Sequence, residues 1–372
     1  MSRQQKVRVL IIANQEPDCA PNQRFRFEQY LTFLNKEGYE CVVSPLLSSS
    51  EARLLYNRGH LFRKGWIINR SFLQRKKDLK KVSDFDFVYI SRESLMTGSY
   101  FFEKKLAAKG IPFIYDFDDA IWNIDVSPAN RKFRWLKNPS KTSEIIRFAK
   151  IVVAGNEYLA NYARNFNPNT VIIPTTVDTD RFFKTRSEKS NNKVIIGWSG
   201  SNTTIVHLKT ILPVLNNIKD KYKDKVDFKV IGDENFYSQS PEIKGEKWTS
   251  ADEVAKMNDF DIGIMPLPDN EWTKGKCGLK GLTYMACEIP SVFSPVGVNN
   301  EIIQHGVNGF LASSEDEWIN VLSTLIESPE LREKVGKAGR QTVIEKYSVE
   351  ANKHKYLECF ESILKNHTKE NH

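Results

Sequence analysis

The sequence predicts an α/β protein built from two doubly wound, Rossmann-like domains that face a cleft. Three observations carry this prediction. Short apolar runs of strand length alternate with longer segments of helical spacing, which is typical of a parallel sheet covered by helices. This alternation stops at the polar stretch 185–193 and then starts again. The length of 372 residues suits two such domains.

The first half of the chain supplies the strands and helices of the first predicted sheet. The predicted strands are 7–12, 40–44, 86–91, 112–116, 150–154 and 170–174. Apolar residues at helical spacing predict helices at 22–37 and near 99–108. The stretch 185–193, TRSEKSNNK, has almost nothing to bury and is typical of a linker.

The second half repeats the pattern. Its predicted strands are 193–200, 226–232, 260–267 and 289–294, and its predicted helices are 203–222, 278–287 and a last one from Ser348 to about 365. Several helix starts carry capping signals. These are Asn202, the capping boxes Ser250–Glu253 and Ser314–Glu317, and the pair Ser328–Pro329.

Composition argues against several classes of protein. Apolar residues make up 40% of the chain, enough for a real core, and no apolar run reaches the ~18 residues of a membrane-spanning helix. The N-terminus lacks the long apolar region of a signal peptide. The five cysteines are far apart and never form a C-x-x-C pair, which argues against a disulfide framework and against a zinc site. A cytoplasmic protein is the simplest interpretation.

The net charge of +8 is partly clustered in the segment 63–81. Eight lysines and arginines there accompany a single acid, Asp78, and aromatic residues such as Trp66 and Phe72 lie among them. Two interpretations stay open: a surface that contacts an anionic bilayer, and a solvated helix with one buried face. A nucleic-acid partner is disfavoured because no recognised binding motif accompanies the charge.

A glycine-containing loop follows the strand 193–200. Gly200 and Ser201 lie between this strand and the next helix, where glycine lets the backbone approach a ligand and a helix N-terminus favours phosphate. A tight turn without a ligand is the alternative. Further along, Glu301 opens a short predicted helix, where it either favours the helix dipole or hydrogen-bonds a ligand hydroxyl.

Three lysines follow the strand 260–267. Lys274, Lys276 and Lys280 alternate with glycines, at the carboxyl end of a strand and the start of a helix. Lysines beside flexible backbone suit a diphosphate, because they neutralise its charge and the charge that develops on a leaving phosphate. The sequence therefore predicts a diphosphate site in this loop.

The segment YDFDDAIW, residues 115–122, carries three carboxylates directly after the strand 112–116. Asp116 and Asp118 form a D-x-D triplet, and hard oxygen ligands of this kind suit Mg²⁺ or Mn²⁺. The phosphate-type loops lie far along the chain in the second half, which argues against a metal site here, and we predict none. The alternative interpretation is that all three acids only cap the turn before Ala120.

Taken in their order, these motifs resemble the family 4 glycosyltransferases, which have the GT-B fold. The run from Gly275 through Ala312, with GWSGS before it, is similar to the C-terminal half of that family. The segments PNQRFRFEQYL (21–31), YDFDDAIW and VIIPTTVDTDRF (171–182) resemble N-terminal and linker segments of one branch. The resemblance covers most of the chain and is weakest at about 45–80; the order of the motifs is specific, whereas each motif alone is not.

The resemblance implies a retaining transferase whose substrate is a UDP- or GDP-linked sugar, with no required metal or other cofactor. It implies an acceptor-binding domain over 1–184 and a donor-binding domain over 185–348, with the last helix, within 349–372, crossing back onto the first domain. The acceptor would be a glycan, a polysaccharide or a lipid-linked precursor. The diphosphate role falls to Lys276 or Lys280, with Lys274 next.

The resemblance also implies roles in the N-terminal domain. Asp119 or Asp118 would contact the acceptor hydroxyl and help to remove its proton, while Asp116 would pair with a loop amide. Arg24 and Arg26 follow the first strand and are candidates for binding an acceptor phosphate, with surface residues as the alternative. A membrane-borne acceptor fits the basic segment 63–81 and a location on the cytoplasmic membrane face.

The chain departs from the family at one motif. The family often carries two glutamates eight positions apart in the donor site, but the matching positions here are Gly275 and Thr283. Glu271 does not restore the pair, because Leu279 lies eight residues after it. Backbone and neighbouring residues such as Glu301 take over these contacts, or the activity is altered.

Two other functions stay open: a nucleotide-sugar epimerase, and a non-catalytic nucleotide-sugar-binding protein. An epimerase would isomerise the donor, and a binding protein would hold it without turnover. A dinucleotide dehydrogenase and a P-loop NTPase are disfavoured, because neither G-x-G-x-x-G after Ile12 nor G-x-x-x-x-G-K-[ST] occurs.

Overall fold

The computed structural model describes residues 6–56, 59–123, 138–185 and 193–370. The chain divides into two compact units, Met1–Pro174 with Asn352–His372, and Thr175–Ala351. We call them the N-unit and the C-unit. Most of the predicted linker 185–193 lies outside the described residues.

The N-unit is built on a six-stranded sheet in the order β2-β1-β3-β4-β5-β6, in which all paired strands are parallel. Its strands are β1 (Val7–Gln15), β2 (Tyr39–Leu47), β3 (Phe87–Ser91), β4 (Phe113–Phe117), β5 (Ile151–Ala154) and β6 (Thr170–Ile172). All residues of β3, β4 and β5 are buried, as expected for parallel strands covered on both faces. The six strands predicted from the sequence are confirmed.

The helices of the N-unit connect these strands. They are α1 (Pro21–Arg24), α2 (Leu31–Lys36), α3 (Ser49–Tyr56), α4 (Leu61–Lys81), α5 (Phe101–Ala108), α6 (Lys141–Phe148) and α7 (Glu157–Arg164). The single helix predicted over 22–37 is wrong: a 3₁₀ turn, Glu28–Tyr30, separates α1 from α2. Residues 23–27 are all buried, and five successive residues cannot share one face of a continuous helix.

The last helix, α16 (Val349–Glu370), packs its later turns on the N-unit. The ring of Tyr356 lies 4.4 Å from that of Tyr30, and the ring of Phe360 lies 5.2 Å from Tyr39 and 5.0 Å from Phe87. All these side chains are buried. The core of the N-unit therefore contains side chains from both of the chain segments that form this unit.

The C-unit has a seven-stranded sheet in the order β13-β12-β11-β7-β8-β10-β9. Its strands are β7 (Val194–Ser199), β8 (Val226–Ile231), β9 (Tyr237–Gln239), β10 (Glu242–Glu246), β11 (Ile262–Met265), β12 (Ser291–Phe293) and β13 (Phe310–Leu311). The pairs are parallel except for the hairpin β9–β10. The four predicted strands are confirmed; β9, β10 and β13 are short and were not predicted.

Helices flank this sheet as well. They are α8 (Ile205–Lys209), α9 (Leu212–Tyr222), α10 (Glu253–Met257), α11 (Glu271–Lys274), α12 (Leu279–Ala286), α13 (Asn299–Ile302), α14 (Glu315–Glu327) and α15 (Pro329–Thr342). The predicted helix 203–222 is two helices, because Pro213 lies in the first turn of α9 and a proline does not continue a preceding helix.

The predicted helix caps have mixed outcomes. The capping box of Ser314 and Glu317 and the cap of α15 by Ser328 are confirmed. Asn202 does not cap α8, whose N-cap position is Thr204, and Ser250 does not cap α10, which starts after Asp252. At α10 the amide and the hydroxyl of Thr249 both donate to Asp252 Oδ1, and the helix has its N-cap at Asp252, two residues after the predicted cap.

The two units meet in sequence before residue 175, whereas the predicted border falls after residue 184. The segment between belongs to the C-unit through its backbone. The amide of Val177 donates to the carbonyl of Tyr347 over 2.8 Å, and Arg340 donates to the carbonyls of Phe182 and Thr179 over 2.9 and 3.2 Å.

Candidate active site

The C-unit sheet has a topological switch point between β7 and β11. From β7 the chain continues to β8 on one side, and β11 lies on the other side. In open α/β sheets ligands bind in the crevice outside the carboxyl ends of the strands at such a point. The segments that follow these ends carry Gly200 and Ser201 after β7, and the three predicted lysines after β11, with Lys274 in α11, Lys276 in a loop and Lys280 in α12. We call the place formed by residues 198–207 and 268–280 the switch crevice.

Close backbone packing holds the loop after β7. The amide of Gly200 donates to the carbonyl of Ile231 over 2.9 Å. A Cβ on Gly200 would come within 2.3 Å of the Trp198 ring, and one on Gly232, at a φ of +119°, would come within 1.5 Å of the Gly200 carbonyl. Glycine is therefore required here by packing alone, as in the tight-turn alternative.

Ser201 is exposed and its amide donates to Thr204 Oγ1 over 3.0 Å. The helix that follows, α8, has five residues, so its dipole is weak. Phosphate binding by Gly200 and Ser201 stays a prediction.

Tyr284 of α12 fixes the carboxyl end of β7. Its hydroxyl accepts a hydrogen bond from the amide of Ser199 over 2.7 Å and shares another with Ser199 Oγ at 3.0 Å. Burial raises the pKa of Tyr284 to about 12, so the phenol stays protonated at neutral pH. The loop that bears Gly200 thus starts from a rigid strand end.

The three predicted lysines lie in two different environments. Lys274 Nζ lies 3.0 Å from Glu271 Oε1 and 3.7 Å from Asp269 Oδ1, and the hydrogen bond to Glu271 raises the pKa of Lys274. Lys276 Nζ lies 3.7 Å from the centroid of the Trp272 ring, and Lys280 Nζ lies 5.8 Å from the Trp198 ring. Lys276 and Lys280 therefore lie on aromatic faces in the switch crevice, a contact that stabilises a cation without neutralising it.

His207 is a residue of this crevice that the sequence analysis did not identify. It lies on α8 with 4% of its surface exposed, and its ring centroid is 5.5 Å from that of Trp272. Its Nε2 has no hydrogen-bond partner among the described residues. Burial, with the charges of Lys280 and Lys276, lowers the pKa of His207 to about 4, so the imidazole is neutral at pH 7.

The loop after β12 packs against the loop after β11. A Cβ on Gly297, at a φ of +54°, would come within 2.6 Å of the Lys274 carbonyl, and one on Gly278, at +71°, would come within 2.4 Å of Ile302. Glu301 lies on α13 and is exposed. Burial and the charge of Glu301 raise the pKa of Tyr347 to about 12. A ligand contact of Glu301 stays a prediction.

In the N-unit, Asp116 is buried in an ion pair with Arg26. Arg26 donates from Nη2 to Asp116 Oδ1 over 2.6 Å, from Nε to Oδ2 over 3.2 Å, and from Nη1 to the carbonyl of Ile173 over 2.6 Å. The hydroxyl of Tyr89 also donates to Asp116. Asp116 thus has a structural role, but through Arg26 and Tyr89 rather than the predicted loop amide.

The burial of Arg26 corrects its predicted role. With 1% exposure and every guanidinium nitrogen donating inside the N-unit, Arg26 is neither a surface residue nor open to an acceptor phosphate. Arg24 is also buried, and its Nε lies 2.8 Å from Asp18 Oδ1.

Asp118 and Asp119 share a partner that the sequence did not indicate, Arg92. Its Nε donates to Asp118 Oδ1 over 2.7 Å, and its Nη2 lies 3.8 Å from Asp119 Oδ2. Asp119 Oδ1 accepts from the amide of Ala120 over 3.0 Å, the hydrogen bond of a capped turn. Arg92 has a φ of +61°, in the left-handed region that a non-glycine residue rarely adopts, and such strain is often found at functional sites.

The basic segment 63–81 lies on α4. Its inward face buries Lys64, Ile67 and Arg75, and Arg75 donates to Asp78 over 2.7 Å and to the carbonyls of Ser94 and Ala13. Its outward face is the stripe Phe62, Trp66, Leu73, Lys77 and Lys80, which we call the α4 outer face. Phe62 is 98% exposed and Trp66 is 61% exposed. The solvated-helix interpretation is right about the buried face and does not explain the exposed aromatic residues.

No group of three or more His, Cys, Asp and Glu side chains in the described ranges is placed to hold a metal ion. No helix within those ranges is long and apolar enough to cross a membrane.

Residues 193–328 match the sequence profile of the family described as "Glycosyl transferases group 1". This segment contains β7 to α14 and the whole switch crevice. The resemblance that the motifs indicated is thereby confirmed. No curated protein matches the chain in a sequence comparison.

Solved structures similar to the chain have the same two-domain fold. Sucrose-phosphate synthase from Thermosynechococcus elongatus has a TM-score of 0.71 at 11% identity, over 97% of this chain and 100% of its own. A glycosyltransferase from Rickettsia africae has a TM-score of 0.66 at 18% identity, over 97% and 99%. Anabaena HepE, solved with UDP-glucose, has a TM-score of 0.69 at 15% identity, over 95% and 99%. The predicted GT-B fold with two Rossmann-like domains is confirmed.

Proposed function

We propose that the protein is a glycosyltransferase that moves a sugar from a nucleotide-diphosphate sugar to an acceptor hydroxyl. The observation that carries the proposal is the pair Lys276 and Lys280 on the faces of Trp272 and Trp198, at the switch point of the C-unit sheet. The match of residues 193–328 to group 1 glycosyl transferases supports it.

In this proposal Lys276 and Lys280 bind the donor diphosphate. Lys276 Nζ lies 3.7 Å from the centroid of the Trp272 ring and Lys280 Nζ lies 5.8 Å from that of the Trp198 ring, contacts that hold a cation in place without neutralising it. As the bond to the sugar breaks, negative charge grows on the leaving diphosphate, and two fixed cations stabilise it in place of a metal ion. Transfer would then be metal-independent. We also propose that it is retaining, as the resemblance to family 4 glycosyltransferases implies.

Asp119 is the proposed group for the acceptor hydroxyl. Asp118 accepts a short hydrogen bond from Arg92, whereas Asp119 Oδ2 lies 3.8 Å from the same guanidinium. A carboxylate within hydrogen-bond reach of an incoming hydroxyl can accept its proton, and this is the role proposed for Asp119. The proposed acceptor is a glycan, a polysaccharide or a lipid-linked precursor.

Calorimetric titration with UDP and with GDP, each in EDTA and in Mn²⁺, tests the donor site. We expect one nucleotide to bind equally well in both, and UDP is the first to try because HepE was solved with UDP and with UDP-glucose. Binding only in Mn²⁺ would contradict the lysine site. Binding of neither nucleotide would contradict the proposed donor class.

Product analysis separates the proposal from its rivals. A glycosyltransferase releases nucleotide and a transferred or hydrolysed sugar, a nucleotide-sugar epimerase returns an isomerised donor, and a non-catalytic binding protein returns the donor unchanged. The absence of the glutamate pair, with Gly275 and Thr283 in its place, is what keeps the binding protein as a rival.

The proposed location is the cytoplasmic face of an anionic membrane, reached through the α4 outer face. Exposed Phe62 and Trp66 are placed to enter the headgroup region, and Lys77 and Lys80 to contact anionic lipids. Sedimentation with phosphatidylglycerol vesicles tests this, with phosphatidylcholine vesicles for comparison. We expect the double substitutions Phe62→Ser with Trp66→Ser, and Lys77→Glu with Lys80→Glu, each to reduce binding roughly tenfold or more, since a basic residue near such a surface contributes ~1 kcal/mol.

The matched control for the vesicle experiment changes exposed apolar residues of the C-unit. Val206 and Tyr237 are 54% and 58% exposed, so Val206→Ser with Tyr237→Ser removes apolar surface of similar exposure. An equal loss in this control, or equal binding to both kinds of vesicle, would contradict the membrane location.

A further inference from the structure

His207 is a buried polar side chain with one ring nitrogen to which no described residue makes a hydrogen bond. This atom, Nε2, is inaccessible to solvent, and 4% of the surface of His207 is exposed. Nearly all buried polar atoms in proteins are hydrogen-bonded, so each exception calls for an explanation. A ligand that changes the electrostatics of the site would provide one.

The surroundings of His207 come from three different elements of the C-unit. Trp272 of α11 lies against the imidazole with ring centroids 5.5 Å apart. The charged groups that act on it are Lys280 of α12 and Lys276 of the loop before that helix. Lys276 Nζ in turn lies 3.7 Å from the centroid of the Trp272 ring. Two cations and an apolar cover thus favour a neutral imidazole while the crevice is empty.

We propose that His207 takes up one proton from solvent when a nucleoside diphosphate occupies the switch crevice, and so becomes a third cation beside Lys276 and Lys280. This inference rests on the proposed function, since it takes the diphosphate as the ligand of these lysines. A diphosphate brings at least two negative charges, which reverse the field that the lysines impose on the imidazole. Nε2 can hold the added proton because no described residue occupies it.

The sign of the resulting pH dependence follows from linkage. The occupied crevice holds more protons than the empty one, so nucleotide affinity must increase as pH falls through the pKa of His207 in the complex. The increase ends below the pKa of the empty site, which is about 4. A charge of opposite sign within ~4–6 Å raises the pKa of a histidine by ~1–3 units, so the pKa of His207 in the complex lies above that of the empty site.

Two measurements test the inference, both with UDP, or with GDP if that is the nucleotide that binds. The first is NMR of the histidine-labelled protein between pH 5 and pH 8, with the His207 signal identified by its absence in His207→Gln or, if needed, His207→Asn. We expect a neutral imidazole throughout this range in the free protein, and an apparent pKa at least one unit higher in the complex.

The second measurement is calorimetry at pH 6 in two buffers of different ionisation enthalpy, which counts the protons taken up on binding. The terminal phosphate of a nucleoside diphosphate itself titrates near pH 6, so the comparison is between wild type and His207→Gln. We expect the wild type to take up between about 0.1 and 1 proton more than the variant. We also expect the variant to lose the steep increase in affinity below pH 7.

The outcomes separate the inference from the proposed function. Nucleotide binding with equal proton uptake in wild type and variant, or with no change in the His207 signal, would overturn the inference and leave the donor site standing. Binding of neither nucleotide to the wild type would overturn the proposed donor site, and the inference with it. A structural role of His207 alone would lower stability without changing the pH profile of binding.

Discussion

The N-unit places three carboxylates within four positions, and the C-unit places three lysines within seven. In the N-unit the carboxylates form ion pairs with arginines: Arg26 pairs with Asp116, and Arg92 pairs with Asp118 and Asp119. In the C-unit the Lys274 ammonium lies beside Glu271 and Asp269, while those of Lys276 and Lys280 lie 3.7 and 5.8 Å from the centroids of indole rings, near a neutral histidine.

The difference shows why charge clustering by itself does not identify a binding site. An ion pair lowers the electrostatic energy of a cluster and leaves less charge for a ligand, as at Asp116 and Arg26. A contact with an aromatic face does not neutralise a cation, which can therefore still attract an anion, as we propose for Lys276 and Lys280. The following substitutions test this contrast, beginning with the largest expected effect.

Asp119→Asn is expected to lower the rate of sugar transfer by ~10²–10⁴, the usual contribution of a general base, without changing nucleotide affinity. The measurement is the release of nucleotide from whichever UDP- or GDP-linked sugar turns over, together with calorimetry. Asp118→Asn is the matched control. Arg92 Nε donates to Asp118 over 2.7 Å, so loss of the Asp118 charge should affect transfer mainly by changing the position of Asp119. Unchanged turnover in Asp119→Asn would remove this residue from the chemistry.

Arg26→Met is expected to destabilise the N-unit by about 3–5 kcal/mol, because it leaves the Asp116 carboxylate buried without its counter-charge. Urea unfolding followed by fluorescence measures the change. Arg24→Met is the control and should cost less, since the partner of Arg24, Asp18, is 55% exposed. If both substitutions cost the same, the buried pair is not the main charge interaction of this region.

Lys276→Met and Lys280→Met are each expected to raise the dissociation constant of the nucleotide by ~10–100-fold, the value of a charge-assisted hydrogen bond. Lys274→Met is the matched control with an expected change within about threefold, because the Lys274 ammonium already lies beside Glu271 and Asp269. Calorimetry at constant ionic strength measures all three. A larger effect at Lys274 than at the other two would invert the comparison.

His207→Gln is expected to make the unliganded protein less sensitive to acid. The pKa of His207 falls from 6.5 to about 4 on folding, so the unfolded chain binds the proton more readily, and stability is lost as pH decreases from 6.5 towards 4. Allowing for screening by water, wild type should lose about 1 kcal/mol more than the variant between pH 7 and pH 5. Thermal unfolding at both pH values tests this, and parallel losses would refute it.

Much of the fold could be predicted because the central residues of parallel strands are buried, so that such strands appear in the sequence as short apolar runs. VRVLII and KVIIG are examples, and they became β1 and β7. Two predicted helices were wrong, and each has an identifiable cause. A helix of regular apolar spacing broke at residues 25–27 because the backbone turns there to bury Arg26 beside Asp116, a partner 90 positions away. The helix 203–222 broke at Pro213, a signal that was present in the sequence.

The candidate site was predictable where residue type and loop position agree, as for Lys276 and Lys280. Their environment was less so. Trp272 four positions before Lys276 is a spacing that indicates a contact on a helix-like turn, and it could have been used. Arg92 and His207 carried no such signal, because their partners come from other strands and loops: Arg92 meets Asp118 across 26 positions, and His207 meets Trp272 from a different helix.

The N-unit is discontinuous, and this has a consequence for its synthesis. Phe360 and Tyr356 complete the core around Tyr30, Tyr39 and Phe87, yet the ribosome makes them only after the whole of Thr175–Ala351. At ~5–20 residues per second, the nascent N-unit waits roughly 10–35 s with that apolar surface uncovered. The segment of the C-unit is continuous, so all its residues are synthesised before those that complete the N-unit, although the N-unit is the first to begin.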